Sequence, residues 1–509
     1  MALARSWSVS LLGLDGHVVE IEADLANGIP GLSITGLPDA SLGEARDRVR
    51  AAIVNSGHTF PSKRVTLGLS PAALPKRGAG FDLALAAAVL AADEAFPAAR
   101  LAGLLLLGEL GLDGRVRAVA GVLPAVLAAS RAGFTCVVVP LANAAEARLL
   151  PGVEVVGVGS LRALVARLRH EPFDEQELPV AVADEAPPAR DLIEVAGQPV
   201  GRLALEVCAA GGHHLLMTGP PGCGKTLLAE RMPGLLPPLS LEEALEVTAI
   251  HSVAGRLPTA GPLVRTAPFQ APHHGATAAS IVGGGSGIAK PGAASLAHRG
   301  VLFLDEAPEF RSGVLDALRQ PLESGSISIR RVGGTATYPA RFSLLLAANP
   351  CACARSESAC ICRPVQRAAY LARLSGPLLD RMDVQVALSA ITRADIQAED
   401  GVGEASADVA ERVAGARAAA ACRYEGTPWR TNADVSPTVL QQRWPIARAC
   451  LETVGAAMDD GRLTARGYGR VLRLAWTMAD LAGRPVPEQL DVDGALGLRL
   501  GPRGLAAAA

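Results

Sequence analysis

The chain has 509 residues, a formal net charge of -2 and 50% hydrophobic residues, which fits about three domains with large cores and excludes both disorder as the main state and a globally basic nucleic-acid binder. Nine cysteines are too few for a disulfide scaffold, and no apolar run reaches the roughly 18 residues of a membrane span. The N-terminal apolar patch after Arg5 is cut by Asp15 and His17, so no secretory signal is expected and a reducing cytoplasm is the expected compartment.

Aromatics are only 3%, so the cores must be built from Ala, Leu and Val. Residues 1–170 alternate strand-like segments (18–23, 65–69, 135–140) with helical ones (44–56, 81–92, 160–169). This reads as a mixed α/β domain. Residues 171–190 carry six acidic residues with Pro172, Pro179, Pro187 and Pro188 and no apolar period, the texture of an extended linker. The βα pattern returns over 191–391. Residues 392–509 read as helical, most clearly at 408–423 and 463–482, with a frayed tail from Gly504.

The strongest signal is Gly219-Pro220-Pro221-Gly222-Cys223-Gly224-Lys225-Thr226, which fits G-x-x-x-x-G-K-[ST] at every fixed position. It lies between an apolar run at 215–217 and a helical run at 227–231, the strand–loop–helix context this phosphate loop needs. Its glycines let backbone N–H groups approach phosphate oxygens, and the helix N-terminus adds its dipole. Lys225 can reach the β- and γ-phosphates and Thr226 can hold Mg²⁺, which makes ATP with Mg²⁺ the expected cofactors. Cys223 sits at a variable position of the loop and receives no role of its own.

A second apolar strand at 301–304 ends in Asp305-Glu306. Carboxylates at the carboxyl end of a buried parallel strand suit Mg²⁺ (Asp305) and activation of the attacking water (Glu306). A third apolar strand at 342–348 ends in Asn349, whose amide can orient that water; Asn-Pro is also an ordinary turn. Together these residues resemble an AAA+ ATPase. The resemblance implies an ATP site between subunits of a homo-hexamer. It implies that Arg381, in Ser375-Gly-Pro-Leu-Leu-Asp-Arg-Met-Asp383, is the finger reaching a neighbour's nucleotide. It also implies that Arg466, in Thr464-Ala-Arg466, is a lid arginine reaching the γ-phosphate in cis, with Arg470 as the fallback. A solvated helix face is the other reading of each arginine.

Two segments interrupt the ATPase pattern. One runs from Pro268 through His273-His274 and Gly283–Gly287 to His298. The other, 322–340, has alternation at 326–331, a Gly333-Gly334 turn and a return strand, and reads as a β-hairpin. Both resemble the hairpin insertions of magnesium chelatase motor subunits and replicative helicases. That resemblance would put Arg330 and Arg331 near a pore, suited to DNA phosphates, with packing on a neighbouring subunit as the alternative. Lys290 and Arg299 are weaker candidates.

The chain as a whole resembles the ComM/YifB family. The specific marks are Gly36-Leu-Pro-Asp39, residues 46–55, Pro75-Lys-Arg-Gly78 with Phe81-Asp82-Leu83, the His273-His274 segment, Asn349-Pro-Cys-Ala-Cys353, and residues 375–383. The resemblance implies three parts. These are an N-terminal ribosomal-S5-like, Lon-protease-like α/β domain (1–170), an AAA+ P-loop α/β core with β-hairpin insertions (191–391), and a C-terminal helical lid (392–509). It implies a hexameric ATP-driven DNA motor, a helicase or branch-migration translocase for single-stranded or branched DNA. Such a motor would serve recombination or uptake of transforming DNA, with recombination proteins as partners and no membrane. The runner-up is a chelatase-type ATPase that remodels a partner protein.

The Lon likeness raises the question of a peptidase. Lon activates a Ser with a Lys. The matching positions hold Gly80 and Leu123, which offer no nucleophile and no base, so no peptidase activity is expected. Arg46, Arg48, Arg50, Lys63 and Arg64 read either as a basic face or as an ordinary solvated helix face. Finally, Cys351, Cys353, Cys360 and Cys362 place four thiols in twelve residues. They suit a structural zinc, reduced thiols without metal, or redox chemistry.

Overall fold

The computed structural model describes residues 2–506 apart from 37–39, 77, 173–189, 258–260, 286–288, 332–333, 356–359 and 399–402. The acidic linker and the hairpin turn at Gly333 therefore lie outside the described residues, as do Leu37–Asp39 of the Gly36 motif and Arg77.

The first 170 residues form a seven-stranded mixed sheet. Its longest ladder is the antiparallel pair Ala2–Leu12 and Asp15–Ala26. The first of these strands is absent from the sequence reading. Its inward face carries Ser6, Ser8 and Ser10, all buried, so hydropathy hides it. Two of the three hydroxyls donate to carbonyls of the layer beneath, Ser6 to Ala84 at 2.8 Å and Ser10 to Pro75 at 2.9 Å. The helix Asp82–Ala92 is buried at every position, as a helix that is apolar all round must be. Arg48 leaves the expected basic face: its guanidinium turns inward onto the fully buried Asp82 at 2.7 Å, because a buried carboxylate needs a charged partner.

The second sheet is five-stranded and wholly parallel, in the order Phe269–Gln270, Val301–Leu304, Ser343–Ala348, Leu215–Thr218, Val384–Ala387. Alternate side chains enter two different cores. Leu215, Met217, Phe303 and Leu345 pack with helices Pro199–Gly211 and Lys225–Leu235 and with the C-terminal helices. Leu216, Leu302, Leu304 and Leu346 pack with Phe310, Val314 and Leu318 on the other face. Burial on both faces explains why these strands read as unbroken apolar runs. The C-terminal helices Ser406–Arg423, Ala465–Leu481 and Gln489–Ala506 cover only the first face.

The lid is fastened at the amino ends of the strands. Asp383, 2% exposed, accepts the backbone N–H of His214 at 3.0 Å and is paired with Arg470 of the lid helix. His214 Nδ1 accepts the backbone N–H of Leu344 at 3.1 Å. His213 Nε2 lies 2.8 Å from Thr477 Oγ1 on the same lid helix. Burial would raise the Asp383 pKa, yet Arg470 and the two histidines hold it well below the usual carboxylate range. Burial pushes both histidines down to about 4.

A base whose pKa falls on folding takes up protons in the unfolded chain first. Stability is therefore full above about pH 6.5 and declines as pH falls toward 4. At pH 5.5 the loss is about 1 kcal/mol per histidine, to be read as a falling urea midpoint between pH 7.5 and 5.5. Asp383→Ala leaves Arg470 without its buried partner and is expected to cost about 3–5 kcal/mol.

Candidate functional site

The parallel register sets Thr218 beside Ala348 and Leu304 beside Leu346. Three strands thus deliver their following residues to one edge. The phosphate loop comes from Leu215–Thr218, Asp305-Glu306 from Val301–Leu304, and Asn349 from Ser343–Ala348, the strand between them. This is the topological switch point where open α/β sheets bind ligands.

Gly222 and Gly224 take φ of +76° and +91°, the left-handed region that admits glycine without strain. This backbone arches the loop over the start of the helix. Pro221, Gly222, Gly224, Lys225, Thr226, Asp305, Glu306 and Asn349 line one cavity of about 270 Å³. Gly219, Pro220 and Cys223 form the back of the loop. Lys225 Nζ donates to the carbonyls of Gly219 (2.7 Å) and Pro220 (2.9 Å), and to Asn349 Oδ1 (3.2 Å). The Thr226 hydroxyl donates to Asp305 Oδ2 at 2.7 Å. A hydroxyl and a carboxylate this close offer two oxygen ligands on one side of the cavity, the donor set of a Mg²⁺ that keeps several waters. The left-handed glycines, the lysine and this oxygen pair all fit a bound triphosphate with its Mg²⁺.

One functional candidate escaped the sequence reading. His274 Nδ1 lies 3.0 Å from Glu306 Oε2. Strand pairing holds the signal: Gln270 is registered against Leu302, so His274 and Glu306 each lie four residues past a registered pair. Glu306 itself has φ +50°, a left-handed conformation rare outside glycine, of the kind stored at functional sites.

Arg381 and Arg466 lie elsewhere. Neither lines the phosphate-loop cavity. They share a cavity of about 240 Å³ with Asp380, Asp383, Arg470 and Arg473. Arg381 donates to the Pro377 carbonyl at 2.6 Å and pairs with Glu323, and Arg466 stands 3.6 Å from Asp380. This cavity is at the amino ends of the strands. Four residues of strand, roughly 13 Å, separate that level from the loop, so the expected reach of Arg466 to its own γ-phosphate is not made. The fallback, Arg470, is held by Asp383.

Arg330 and Arg331 are exposed at the end of the hairpin strand Ser326–Arg331, opposite Thr335 and Gly334. The hairpin is anchored in its own chain along its return strand, from Tyr338 to Gly334, which faces Leu12. Tyr338 is fully buried and donates to the Ala289 carbonyl. Ala336 packs beside Leu14, at the tip of the first hairpin of the N-terminal sheet. Of the two weaker candidates, Arg299 is tied to Glu243 and Glu246. The four cysteines Cys351, Cys353, Cys360 and Cys362 have ligand atoms all within 4.8 Å of one another, a set that can hold a metal ion.

A phosphate loop, an acidic pair and a polar strand tip on a parallel sheet of this order define a P-loop ATPase core of the AAA+ class. Family models agree along the chain. Magnesium chelatase, subunit ChlI, matches residues 191–396; Subunit ChlI of Mg-chelatase matches 21–143; and the ChlI C-terminal model matches 403–499. An uncharacterised protein of Mycobacterium tuberculosis is 53% identical over 98% of this chain and 99% of its own. YifB of Salmonella typhimurium is 40% identical over 94% of each chain, and Competence protein ComM of Haemophilus influenzae is 38% identical over 98% of each. The chain belongs to the magnesium chelatase-like AAA+ family that holds YifB and ComM. Its N-terminal part is also similar to Lon proteases. There Leu123 is buried inside helix Val122–Arg131, and the nearby Lys76 is buried with its ammonium on the Pro71 carbonyl.

Glu306→Gln is expected to lower ATP turnover by about 10²-fold or more while ATP still binds; turnover that survives removes Glu306 as the general base. His274→Ala loses one hydrogen bond to a charged group, worth about 1.5 kcal/mol or more. A fall of roughly tenfold in kcat with unchanged ATP affinity is expected, checked by steady-state kinetics beside nucleotide titration.

Proposed function

We propose that this chain is an ATP-hydrolysing motor that assembles as a hexameric ring and acts on single-stranded or branched DNA. It would drive branch migration or helicase-type strand separation in recombination or in the uptake of transforming DNA. The observation that carries the reading is the exposed neighbours Arg330 and Arg331 at the end of a hairpin strand, in a chain with a complete phosphate-loop cavity. Paired guanidiniums free of carboxylate partners among the described residues suit phosphate contacts. The name Competence protein, borne by a 38% identical relative, supports the DNA context.

In this reading Lys225 holds the β- and γ-phosphates, and Thr226 and Asp305 hold Mg²⁺. Glu306 takes the proton of the attacking water, which Asn349 helps to orient. Arg381 and Arg466 serve the nucleotide of the neighbouring subunit, because both lie a strand's length from their own. The motor works in the cytoplasm alongside recombination proteins. The likeness of residues 191–396 to the magnesium chelatase subunit favours one other reading, a motor that remodels a protein partner.

The deciding measurement is ATP hydrolysis with no nucleic acid, with single-stranded DNA and with a branched junction, at one fixed salt. Stimulation, greatest with the junction, supports the proposal; a basal rate unmoved by either DNA overturns it in favour of a protein partner. Arg330→Ala with Arg331→Ala is expected to weaken DNA binding and to flatten its salt dependence by about 1.4–1.8 in log–log slope per engaged hairpin. Arg381→Ala subunits mixed with Lys225→Ala subunits should regain some turnover at mixed interfaces; no recovery at any ratio counts against service in trans.

A further inference from the structure

We propose that Cys351, Cys353, Cys360 and Cys362 form a structural zinc site that clamps the loop carrying Asn349. The claim rests on the cluster's own geometry and stands whether or not the motor acts on DNA.

The sulfur positions carry it. Cys351 Sγ lies 3.1 Å from Cys353 Sγ and 3.4 Å from Cys360 Sγ, and the last two are 3.6 Å apart. All four sulfurs fall within 4.8 Å of one another, and none is in a disulfide. A zinc ion with Zn–S bonds near 2.3 Å sets its four sulfurs about 3.8 Å apart. A cluster of several irons needs its cysteine sulfurs farther apart, because bridging sulfides and a second metal lie between them. The size of the nest therefore selects a single tetrahedral ion. Thiolate ligands favour zinc over magnesium or calcium, which prefer oxygen.

The backbone is shaped around the same point. Ala354 stands at φ +49° with its N–H on the Cys351 carbonyl at 3.2 Å. An alanine in the left-handed region persists where its surroundings over-determine it.

The two halves of the cluster belong to different elements. Cys351 follows Asn349 by two residues. Cys362 precedes helix Pro364–Leu371 by two, and just past that helix Arg373 reaches Glu309 at 3.1 Å, three residues beyond Glu306. One ion would therefore tie the Asn349 loop to the segment that braces the Glu306 turn. Four protein ligands leave no open position, so the ion is structural. Binding displaces the remaining thiol protons to solvent.

The test is metal analysis of the full chain, purified under reducing conditions without chelator. About one zinc per chain is expected, falling below a tenth in the Cys360→Ser, Cys362→Ser double variant. Because that variant can fail to fold, wild-type protein stripped of metal is also titrated with Co²⁺. Intense visible d–d bands with sulfur-to-cobalt charge transfer in the near ultraviolet are expected, saturating at one equivalent. Three results overturn the site: zinc-free protein that gives no such bands, zinc kept in full by the double variant, or iron accompanied by acid-labile sulfide.

Discussion

The structure turns on the buried carboxylate of Asp383. It receives the backbone of His214 from one strand and the guanidinium of Arg470 from the lid, while its own chain begins the strand Val384–Ala387. A charge this deep is tolerated only because each oxygen is occupied. That requirement fixes the lid against the sheet and the turn carrying Arg381 against the lid. Arg499 adds to the same junction by donating to the Met382 carbonyl. A single ionised group thus aligns sheet, turn and lid.

The parallel sheet separates two chemistries by its own length. Phosphate-binding groups gather where the strands end, and the arginine-lined cavity gathers where they begin. Short strands, four to six residues each, keep the two levels rigidly spaced. Arg381 and Arg466 therefore stand on a different level of the sheet from the phosphate loop. The N-terminal sheet is joined to this frame near the hairpin 326–339, where Leu14 packs with Tyr338 and Ala336, and through Ser252, whose hydroxyl donates to Glu146.

Much of this was legible in the residues. The phosphate loop, Asp305-Glu306 and Asn349 each follow an apolar run, and a run apolar on both faces marks a buried parallel strand whose carboxyl end carries the site. The hairpin's alternation at 326–331 was equally plain. The strand Ala2–Leu12 was not, because serines on its inner face imitate a surface pattern. Arg48 reads from sequence either as a basic face or as a solvated helix face, since sequence shows its charge but not the buried Asp82 beneath. The resemblance of Thr464-Ala-Arg466 to an AAA+ lid motif places Arg466 at the γ-phosphate. The sequence carries no measure of which end of the sheet that helix meets. His274 became visible only through pairing across two strands, a relation between positions some thirty residues apart.

The hydrogen bonds of Lys225 have a last consequence. Its ammonium donates to oxygens of its own loop and of Asn349 and lies 3.7 Å from the Cys223 sulfur, so one charge ties the loop to the tip of the neighbouring strand. If Lys225 serves a triphosphate as proposed, binding would be an exchange of partners, with phosphate oxygens taking the place of the carbonyls and of the Asn349 amide.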